Sequence, residues 1–194
     1  MVERVLIIHG HPDSDRTRFN YQLAEAYKES ALNAGFSVKE IHVADLDFPL
    51  LRSQHDYYDE KPVSAIEESQ ESIGWADHIM IIYPLWLGGM PALLKGFLEQ
   101  ILRPGFAYDM PDNKLPKKLL KGKSVRIIVT MGMPAFAYRW YFFAHSLKSL
   151  QRNILGFCGF SPVRSTLIGL IDTKNTRRRQ KWIKQVQRLG SLGI

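Results

Sequence analysis

The segment that follows the first apolar run of the chain is crowded with side chains that can bind an anion. Residues 9–20, His-Gly-His-Pro-Asp-Ser-Asp-Arg-Thr-Arg-Phe-Asn, lead directly into a helical pattern. Free N–H groups and the dipole at a helix N-terminus favour phosphate. The segment lacks the Gly-x-Gly-x-x-Gly of dinucleotide folds and the Gly-Lys-Ser/Thr ending of a P-loop. We therefore expect a phosphate cradle of another type. A capped turn without a ligand is the alternative, because Ser, Thr, Asp and Asn also cap helices.

Two later segments have the composition of a wall against a flat ligand. Residues 83–91, Tyr-Pro-Leu-Trp-Leu-Gly-Gly-Met-Pro, combine prolines that hold the chain extended, the flat side chain of Trp86, and glycines that let backbone N–H groups come close. Residues 130–138 repeat this small, glycine-containing and aromatic character. Gly88-Gly89 alone predicts no more than a turn. Three such segments, each after an apolar run, favour one site for a planar ligand with polar edges.

Other candidate motifs carry less chemistry. Gly122-Lys123-Ser124 resembles the end of a P-loop, but Lys117 stands where the first glycine belongs and the motif precedes an apolar run. We expect no metal, because His9 and His11, two apart in a loop, are too little for a site. The single cysteine excludes an internal disulfide and any cysteine-based zinc site.

The net charge of +7 raises the possibility of a nucleic-acid partner. The basic clusters are modest, at residues 117–123 and 177–179, and such clusters are more often solvated faces. We expect no nucleic-acid partner, since a phosphorylated cofactor would use the same charge. The longest uncharged stretch, residues 79–94, is interrupted by proline and glycine and is too short to span a bilayer, and no secretory signal is recognisable. We expect a water-soluble, cytoplasmic protein without membrane insertion.

The elements that must position these segments alternate along the chain. Apolar runs at 5–8, 79–82 and 125–129 are typical of parallel strands covered on both faces, and weaker strands are predicted at 36–46, on a sheet edge, and at 165–170. Helices are predicted over 21–34 with Gly35 as its cap, from Pro91 to Leu102, over 136–155, and over 175–189 with Asn175 as a possible cap. This alternation predicts an α/β fold in one domain over 1–194, a doubly wound five-stranded parallel sheet with helices on both faces. In such sheets ligands bind beyond the carboxyl ends of the strands, where the three segments would meet.

Two stretches do not fit this scheme. Trp140-Tyr141-Phe142-Phe143, if helical, sweeps most of the circumference and cannot face one core. A subunit interface or a bound ring would cover it, since large exposed aromatic patches are rare on monomers; alternatively the helix starts later and the run lies partly in a loop. Residues 48–62, rich in Asp, Tyr and Pro, are predicted to be a surface excursion of unassigned role.

The motifs together resemble those of one protein family. Residues 83–86 (Tyr-Pro-Leu-Trp), 89–97 (Gly-Met-Pro-Ala-Leu-Leu-Lys-Gly-Phe) and 105–108 (Gly-Phe-Ala-Tyr) are similar to the NAD(P)H dehydrogenase (quinone) family of flavodoxin-like flavoproteins. His11-Pro12, Phe19-Asn20 and residues 156–160 (Gly-Phe-Cys-Gly-Phe) match the same family. The markers span residues 5 to about 170 in the family's order.

The resemblance implies a flavodoxin-like fold and an enzyme that passes two electrons from NADH or NADPH to a quinone in a ping-pong cycle. It implies a homodimer with the site at the subunit interface, and a bound flavin, with FAD favoured slightly over FMN. By position, the flavin would be held by His11, Thr17, Phe19 and Asn20 at the phosphates and neighbouring groups, by Pro84, Leu85, Trp86 and Leu87 against the isoalloxazine, and by Thr130, Gly132 and Tyr138 on the far side. Gly132-Met133 stands where the family has two glycines.

The resemblance also assigns catalytic and substrate residues. Tyr138 matches the family's catalytic tyrosine, and its histidine partner is assigned to His145, one position from the matching Ala144. Phe106 and Tyr108, with Trp86, would sandwich a planar acceptor. Two other readings stay open: an azo-, nitro- or flavin-reducing enzyme with the same fold, and a flavin-binding regulatory subunit that docks on a membrane transporter. A flavin-free binding module is a third.

Overall fold

The parallel sheet forms from the apolar runs, and helices fill the connections between them. The structure, a computed structural model, describes residues 2–111, 115–172 and 176–194. The strands are β1 (Arg4–His9), β2 (Ser37–His42), β3 (His78–Pro84), β4 (Tyr108–Asp109), β5 (Lys117–Lys118), β6 (Ser124–Thr130) and β7 (Val163–Ile168). The α-helices are α1 (Phe19–Asn33), α2 (Gln54–Tyr58), α3 (Ser64–Trp75), α4 (Ala92–Ile101), α5 (His145–Ser149), α6 (Gly156–Cys158) and α7 (Thr176–Leu192).

The main sheet has five parallel strands in the order β2-β1-β3-β6-β7. This confirms the predicted doubly wound sheet, and it places β2 at an edge as its polar sequence predicts. The switch in strand order lies between β1 and β3, so the segments that leave their carboxyl ends border one crevice. β4 and β5 form a separate antiparallel pair of two residues each.

Helices cover both faces of the sheet. On one face, α1 and α7 pack against β1, β3 and β6 around Leu23, Tyr27 and Val186, all fully buried. The two helices approach closely because Gly190 has no side chain: a Cβ there would collide with the carbonyl oxygen of Tyr27. On the other face, α3 and α4 contribute Ile73 and other apolar residues to a second core. Gly35, with φ of +90°, follows α1 as predicted.

The predicted continuous helix over 136–155 is wrong. A π-helical turn at Ala137–Tyr141 ends in two left-handed residues, Phe143 and Ala144, with φ of 52° and 49°. The chain restarts as α5, passes through a second π-helical turn at Leu150–Leu155 and ends in α6. The break lies within the aromatic run, whose four side chains could not all face a single core from one helix.

The excursion over residues 48–62 is anchored to α4. Gln100 donates to the carbonyl of Pro49 at 2.6 Å, and Arg103 donates to the carbonyl of Glu60 at 2.8 Å. Within the excursion, Ser53 and Asp56 form a capping box at the start of α2. The helix α3, which was not predicted from the sequence, follows this excursion. The possible cap Asn175 lies outside the described residues, and no helix of the described chain is long and apolar enough to cross a membrane.

Candidate active site

Backbone hydrogen bonds between the ends of β1, β3 and β6 hold the predicted loops at one rim. Gly10 donates to the carbonyl of Ile82 at 2.8 Å, and Leu85 donates to the carbonyl of Thr130 at 2.7 Å. A Cβ on Gly10 would lie 2.6 Å from the side chain of Leu94 of α4, so any larger residue would require the buried Leu94 side chain to move. The three segments selected from the sequence are therefore neighbours.

A groove of about 400 Å³ opens at this rim beside the first turn of α1. We call it the α1 groove. It is lined by His11, Thr17, Arg18, Phe19, Asn20, Pro84, Trp86, Ile171, Asp172 and Arg179. Six residues predicted to bind the cofactor are in this lining: His11, Thr17, Phe19, Asn20, Pro84 and Trp86.

Asn20 offers an unpaired hydrogen-bond donor in this groove. It is 3 % exposed, and its amide oxygen accepts a 2.7 Å hydrogen bond from the Thr130 hydroxyl. Its Nδ2 is buried, and no described residue hydrogen-bonds to it. The surrounding helix terminus, α1, has no side-chain cap. A buried donor without a partner costs free energy, and open N–H groups at a helix start attract anions. The residues therefore fit a ligand that presents acceptor oxygens, as a flavin phosphate does.

His11 is held in one tautomer by the turn that follows it. Its Nδ1 accepts a 3.0 Å hydrogen bond from the backbone N–H of Asp13, so a neutral ring carries its proton on Nε2. Burial lowers the pKa of His11, in spite of the opposing charge of Asp13. The ring is thus a neutral donor near neutral pH, and its edge meets Trp86 at 6.1 Å between ring centroids.

Two arginines line the α1 groove, and they differ in pairing. Arg18 forms an ion pair with Asp13 at 2.6 Å, so its charge is largely balanced. Arg179, on the first turns of α7, lies over the ring of Phe19 at 4.6 Å from its centroid and forms no ion pair among the described residues. Sequence reasoning missed Arg179, because the run at 177–179 shows its charge but not which arginine faces the loop after β1.

The segment after β3 makes a tight turn. Trp86 and Gly89 exchange two backbone hydrogen bonds, of 2.9 and 2.8 Å, around Leu87 and Gly88, whose φ angles are 46° and 77°. Trp86 is half exposed and the side chain of Leu87 projects into solvent. Leu85 instead packs toward the core. The glycine pair thus makes a turn, and this turn presents Trp86 at the mouth of the groove.

In the described part of the chain, Tyr138 forms hydrogen bonds with residues other than His145. Tyr138 is 2 % exposed, and its hydroxyl is 2.7 Å from the Ser146 hydroxyl and accepts from the backbone N–H of Leu147 at 3.3 Å. His145 is exposed and its ring lies against Phe143. The predicted pairing of tyrosine and histidine is therefore replaced here by a Tyr138–Ser146 contact. Gly132 lies against Asp172, whose carboxylate a Cβ would meet at 2.5 Å.

Phe106 and Tyr108 lie outside the α1 groove. Tyr108 lines a cavity of about 170 Å³ with Tyr57 and Cys158, and none of the residues of this cavity lines the α1 groove. The hydroxyls of Tyr108 and Tyr57 are 2.8 Å apart. Phe106 is half-buried. Within one chain, Tyr108 is thus not brought into the groove where Trp86 stands.

A cluster of possible metal ligands lies beside the groove, at His9, Glu40 and His42. Glu40 is already engaged: His9 Nε2 is 2.9 Å from one carboxylate oxygen and Lys28 is 2.7 Å from the other, and these contacts lower the pKa of Glu40 to about 2. The Arg16 guanidinium lies 2.6 Å from His42 Nδ1. Two cations therefore flank the cluster, and the absence of a metal stays a prediction.

Comparison with known proteins decides the family. The family model described as flavodoxin-like fold matches residues 3–189. The chain belongs to the flavodoxin-like fold family. It is 29 % identical to an uncharacterized NAD(P)H oxidoreductase of Haemophilus influenzae over 92 % of this chain and 90 % of that one. It is 28 % identical to an FMN-dependent NADH:quinone oxidoreductase of Nitratidesulfovibrio vulgaris, over 95 % and 97 %.

A solved structure agrees with this assignment. Smu.1420 from Streptococcus mutans superposes with a TM-score of 0.80 at 29 % identity, over 97 % of this chain and 99 % of that one. The family model and the named relatives together confirm the predicted membership of the NAD(P)H dehydrogenase (quinone) family with its flavodoxin-like fold. In this flavodoxin-like chain, the α1 groove occupies the crevice at the switch in strand order, which is where this class of sheet binds its ligand.

Proposed function

We propose that this flavodoxin-like protein is a flavin-dependent NAD(P)H oxidoreductase that reduces quinone-like acceptors by two electrons in a ping-pong cycle. The observation that carries the proposal is the buried Nδ2 of Asn20, which has no partner among the described residues, in a groove that also contains the charge of Arg179, for which the described residues supply no ion pair. A phosphorylated planar cofactor satisfies both groups. The names of the oxidoreductase relatives support the same activity.

A bound flavin would supply the two-electron redox chemistry that connects oxidation of the nicotinamide to reduction of the acceptor. The chain's own residues bind and orient. Thr17, Asn20 and Arg179 would hold the phosphate end, and His11 would donate from Nε2. Pro84, Leu85 and Trp86 would lie along the ring system with backbone N–H groups near its edge, while Leu87 marks the outer end of that turn. Thr130, Gly132 and Tyr138 would border the far side, where the Tyr138 hydroxyl can stabilise developing negative charge.

We propose FMN as the flavin, where the sequence slightly favoured FAD. The relative from Nitratidesulfovibrio vulgaris is FMN-dependent by name and matches nearly the whole of this chain. The donor groups of the α1 groove can bind one phosphate, and Trp86 can lie against one ring system. Either NADH or NADPH can be the reductant.

A second copy of the chain would complete the acceptor site. Trp140, Tyr141, Phe142 and Phe143 are all at least 49 % exposed, and such a patch is rare on a monomer. Tyr108 and Phe106 lie outside the α1 groove of their own chain, so they would contact an acceptor only at the site of the other copy. His145, beside Phe143, would lie in the same interface. We therefore propose a homodimer.

The test begins with the purified protein. Its chromophore is released by heat and identified by chromatography, and oxidation of NADH and NADPH is followed with and without menadione. Released FMN with quinone-dependent oxidation supports the proposal. Preference for an azo or nitro compound over every quinone would show that the acceptor belongs to that class and is not a quinone. A protein that takes up no flavin after reconstitution would remove the central claim, and bound flavin without turnover would favour a regulatory subunit.

A further inference from the structure

Arg126 carries a charge inside the interior strand β6, next to the edge strand β7. It is 8 % exposed, and in register its neighbours are Met80 of β3 and Arg164 of β7. Buried charges are normally paired, because removal of a charge from water is costly. Among residues 2–111, 115–172 and 176–194, no carboxylate forms an ion pair with Arg126, and its one hydrogen bond is a long one, 3.5 Å, to the hydroxyl of Thr166. The guanidinium is therefore poorly satisfied.

Other polar groups near Arg126 are unsatisfied as well. Among the described residues, the Nε of Arg126 and the Nε1 of Trp182, which line one cavity, are buried without a hydrogen-bond partner. The hydroxyl of Tyr27 and the Nε2 of His78, both within electrostatic reach of Arg126, also have no partner there. Burial, and then the charges of Arg126 and Arg164, lower the pKa of His78 to about 4, which shows that this ring is within electrostatic reach. Unsatisfied buried donors are rare, and several together indicate a missing acceptor.

Arg126 and Trp182 line a cavity of about 530 Å³ beside the edge strand β7. We call it the β7 cavity. Its charged lining residues are two arginines, Arg126 and Arg139, and its walls include the aromatic side chains of Phe136, Trp140 and Trp182. The volume is within the range of small-molecule sites. None of its lining residues lines the α1 groove, so it is a separate site.

We infer that the β7 cavity binds a small carboxylate with an apolar, aromatic body, whose carboxylate pairs with Arg126. The planar fork of a guanidinium matches a carboxylate in a bidentate arrangement, and the indole N–H of Trp182 adds a donor. The aromatic walls accept the apolar body. The β7 cavity is distinct from the α1 groove, and it shares Trp140 with the aromatic patch assigned above to the homodimer.

Benzoate is the probe, titrated by calorimetry into the flavin-saturated wild-type protein at constant ionic strength with chloride as the balancing anion. Saturation with flavin removes the α1 groove as a competing anion site. We expect saturable binding and a rise in the thermal midpoint. Benzyl alcohol, which keeps the ring and lacks the charge, should produce neither.

Arg126→Met removes the guanidinium and keeps an apolar side chain of similar length. We expect it to fold, since replacement of a buried charge by an apolar group is often neutral or stabilising, and to weaken benzoate binding by about tenfold or more. Arg164→Met is the matched control: it removes the same charge from the register neighbour outside the lining, and should change binding by less than about twofold. Trp182→Phe keeps a ring, loses the N–H, and should weaken binding several-fold.

The inference is overturned if wild-type protein shows no saturable benzoate binding, or if Arg126→Met and Arg164→Met bind benzoate equally. Equal binding of benzyl alcohol would also overturn it, because the cavity would then select the ring rather than the carboxylate. Flavin content and NADH oxidation are measured on every variant. A variant that loses flavin or NADH oxidation would test the proposed function. Its benzoate affinity could still be compared with that of the wild type.

Discussion

The hydroxyl of Thr130 donates a 2.7 Å hydrogen bond to the amide oxygen of Asn20, and so joins the carboxyl end of β6 to the first turn of α1. This bond fixes the orientation of the Asn20 amide, because its oxygen is committed to Thr130. The Nδ2 is consequently turned to a position without a protein partner. A hydrogen bond that stabilises the fold thus also orients a donor group for a ligand.

Asn20→Asp separates these two roles. The carboxylate still accepts from Thr130, so the fold should be retained, but the donor becomes a negative charge beside the proposed phosphate. We expect flavin affinity to fall by about tenfold to a hundredfold, as for loss of a charge-assisted bond. The measurement is titration of the apoprotein by flavin fluorescence. Asn33→Asp, near the other end of α1, is the matched control, and equal affinities for the two variants would contradict the assignment.

Arg179 supplies the charge that the sequence did not single out. Arg179→Ala should weaken flavin binding by about tenfold, and the remaining binding should depend less on salt, because one screened cation is gone. Arg179→Lys keeps the charge, loses the flat guanidinium over Phe19, and should be intermediate.

Arg177→Ala serves as control, since Arg177 is exposed and outside the α1 groove. Flavin dissociation constants at low and high salt check the three variants. An unchanged constant for Arg179→Ala would assign Arg179 to packing against Phe19.

Local patterns in the sequence predict the strands and the rim, and fail where distant parts of the chain decide. Apolar runs locate β1, β3 and β6 because strands covered on both faces have no polar face. The parallel order then brings the three loops together. The break at Phe143 and Ala144 was not predictable from periodicity, since two left-handed residues without glycine occur only where tertiary contacts compensate for them.

The same limit applies to the candidate site. Six residues that line the α1 groove could be selected, because they lie in the segments that follow strands. Arg179 and Arg126 could not be selected, because their roles depend on which side chains of distant elements surround them in the fold. The charge of Arg126 is visible in the sequence, where it interrupts an apolar run, but only the fold shows that no carboxylate of the described residues pairs with it.

Tyr138 provides a test of the proposed chemistry. Tyr138→Phe removes a buried hydroxyl that meets Ser146, so the free energy of unfolding should fall by about 1 kcal/mol. If the hydroxyl also stabilises charge at the acceptor, kcat should fall by about tenfold or more while flavin content stays constant. Stopped-flow measurement of the two half-reactions locates the effect.

The matched control is Tyr58→Phe, at the end of α2 and 56 % exposed. Ser146→Ala removes the partner and leaves the Tyr138 hydroxyl in place. A wild-type kcat in Tyr138→Phe, with only the stability change, would make Tyr138 a structural residue.

His78 predicts a dependence of stability on pH. Burial lowers its pKa to about 4, from about 6.5 for an unperturbed histidine, so the folded protein binds its proton less readily than the unfolded chain. The unfolded chain therefore carries more protons between these two values, and stability falls as pH decreases through that window. The full difference corresponds to about 3 kcal/mol.

His78→Asn removes the titration and can keep a hydrogen bond to Ser124, which lies 2.7 Å from His78 Nδ1. Urea unfolding is measured at several pH values from about 4.5, just above the folded pKa, to about 7.5, above the unfolded pKa. In this variant, stability should decrease less steeply toward acid than in the wild type. Some loss should remain, because burial also lowers the pKa of His42 to about 4. His55→Asn, on the exposed surface of α2, should follow the wild type. If His78→Asn loses as much stability as the wild type, the ring of His78 is not the group that makes the fold sensitive to acid.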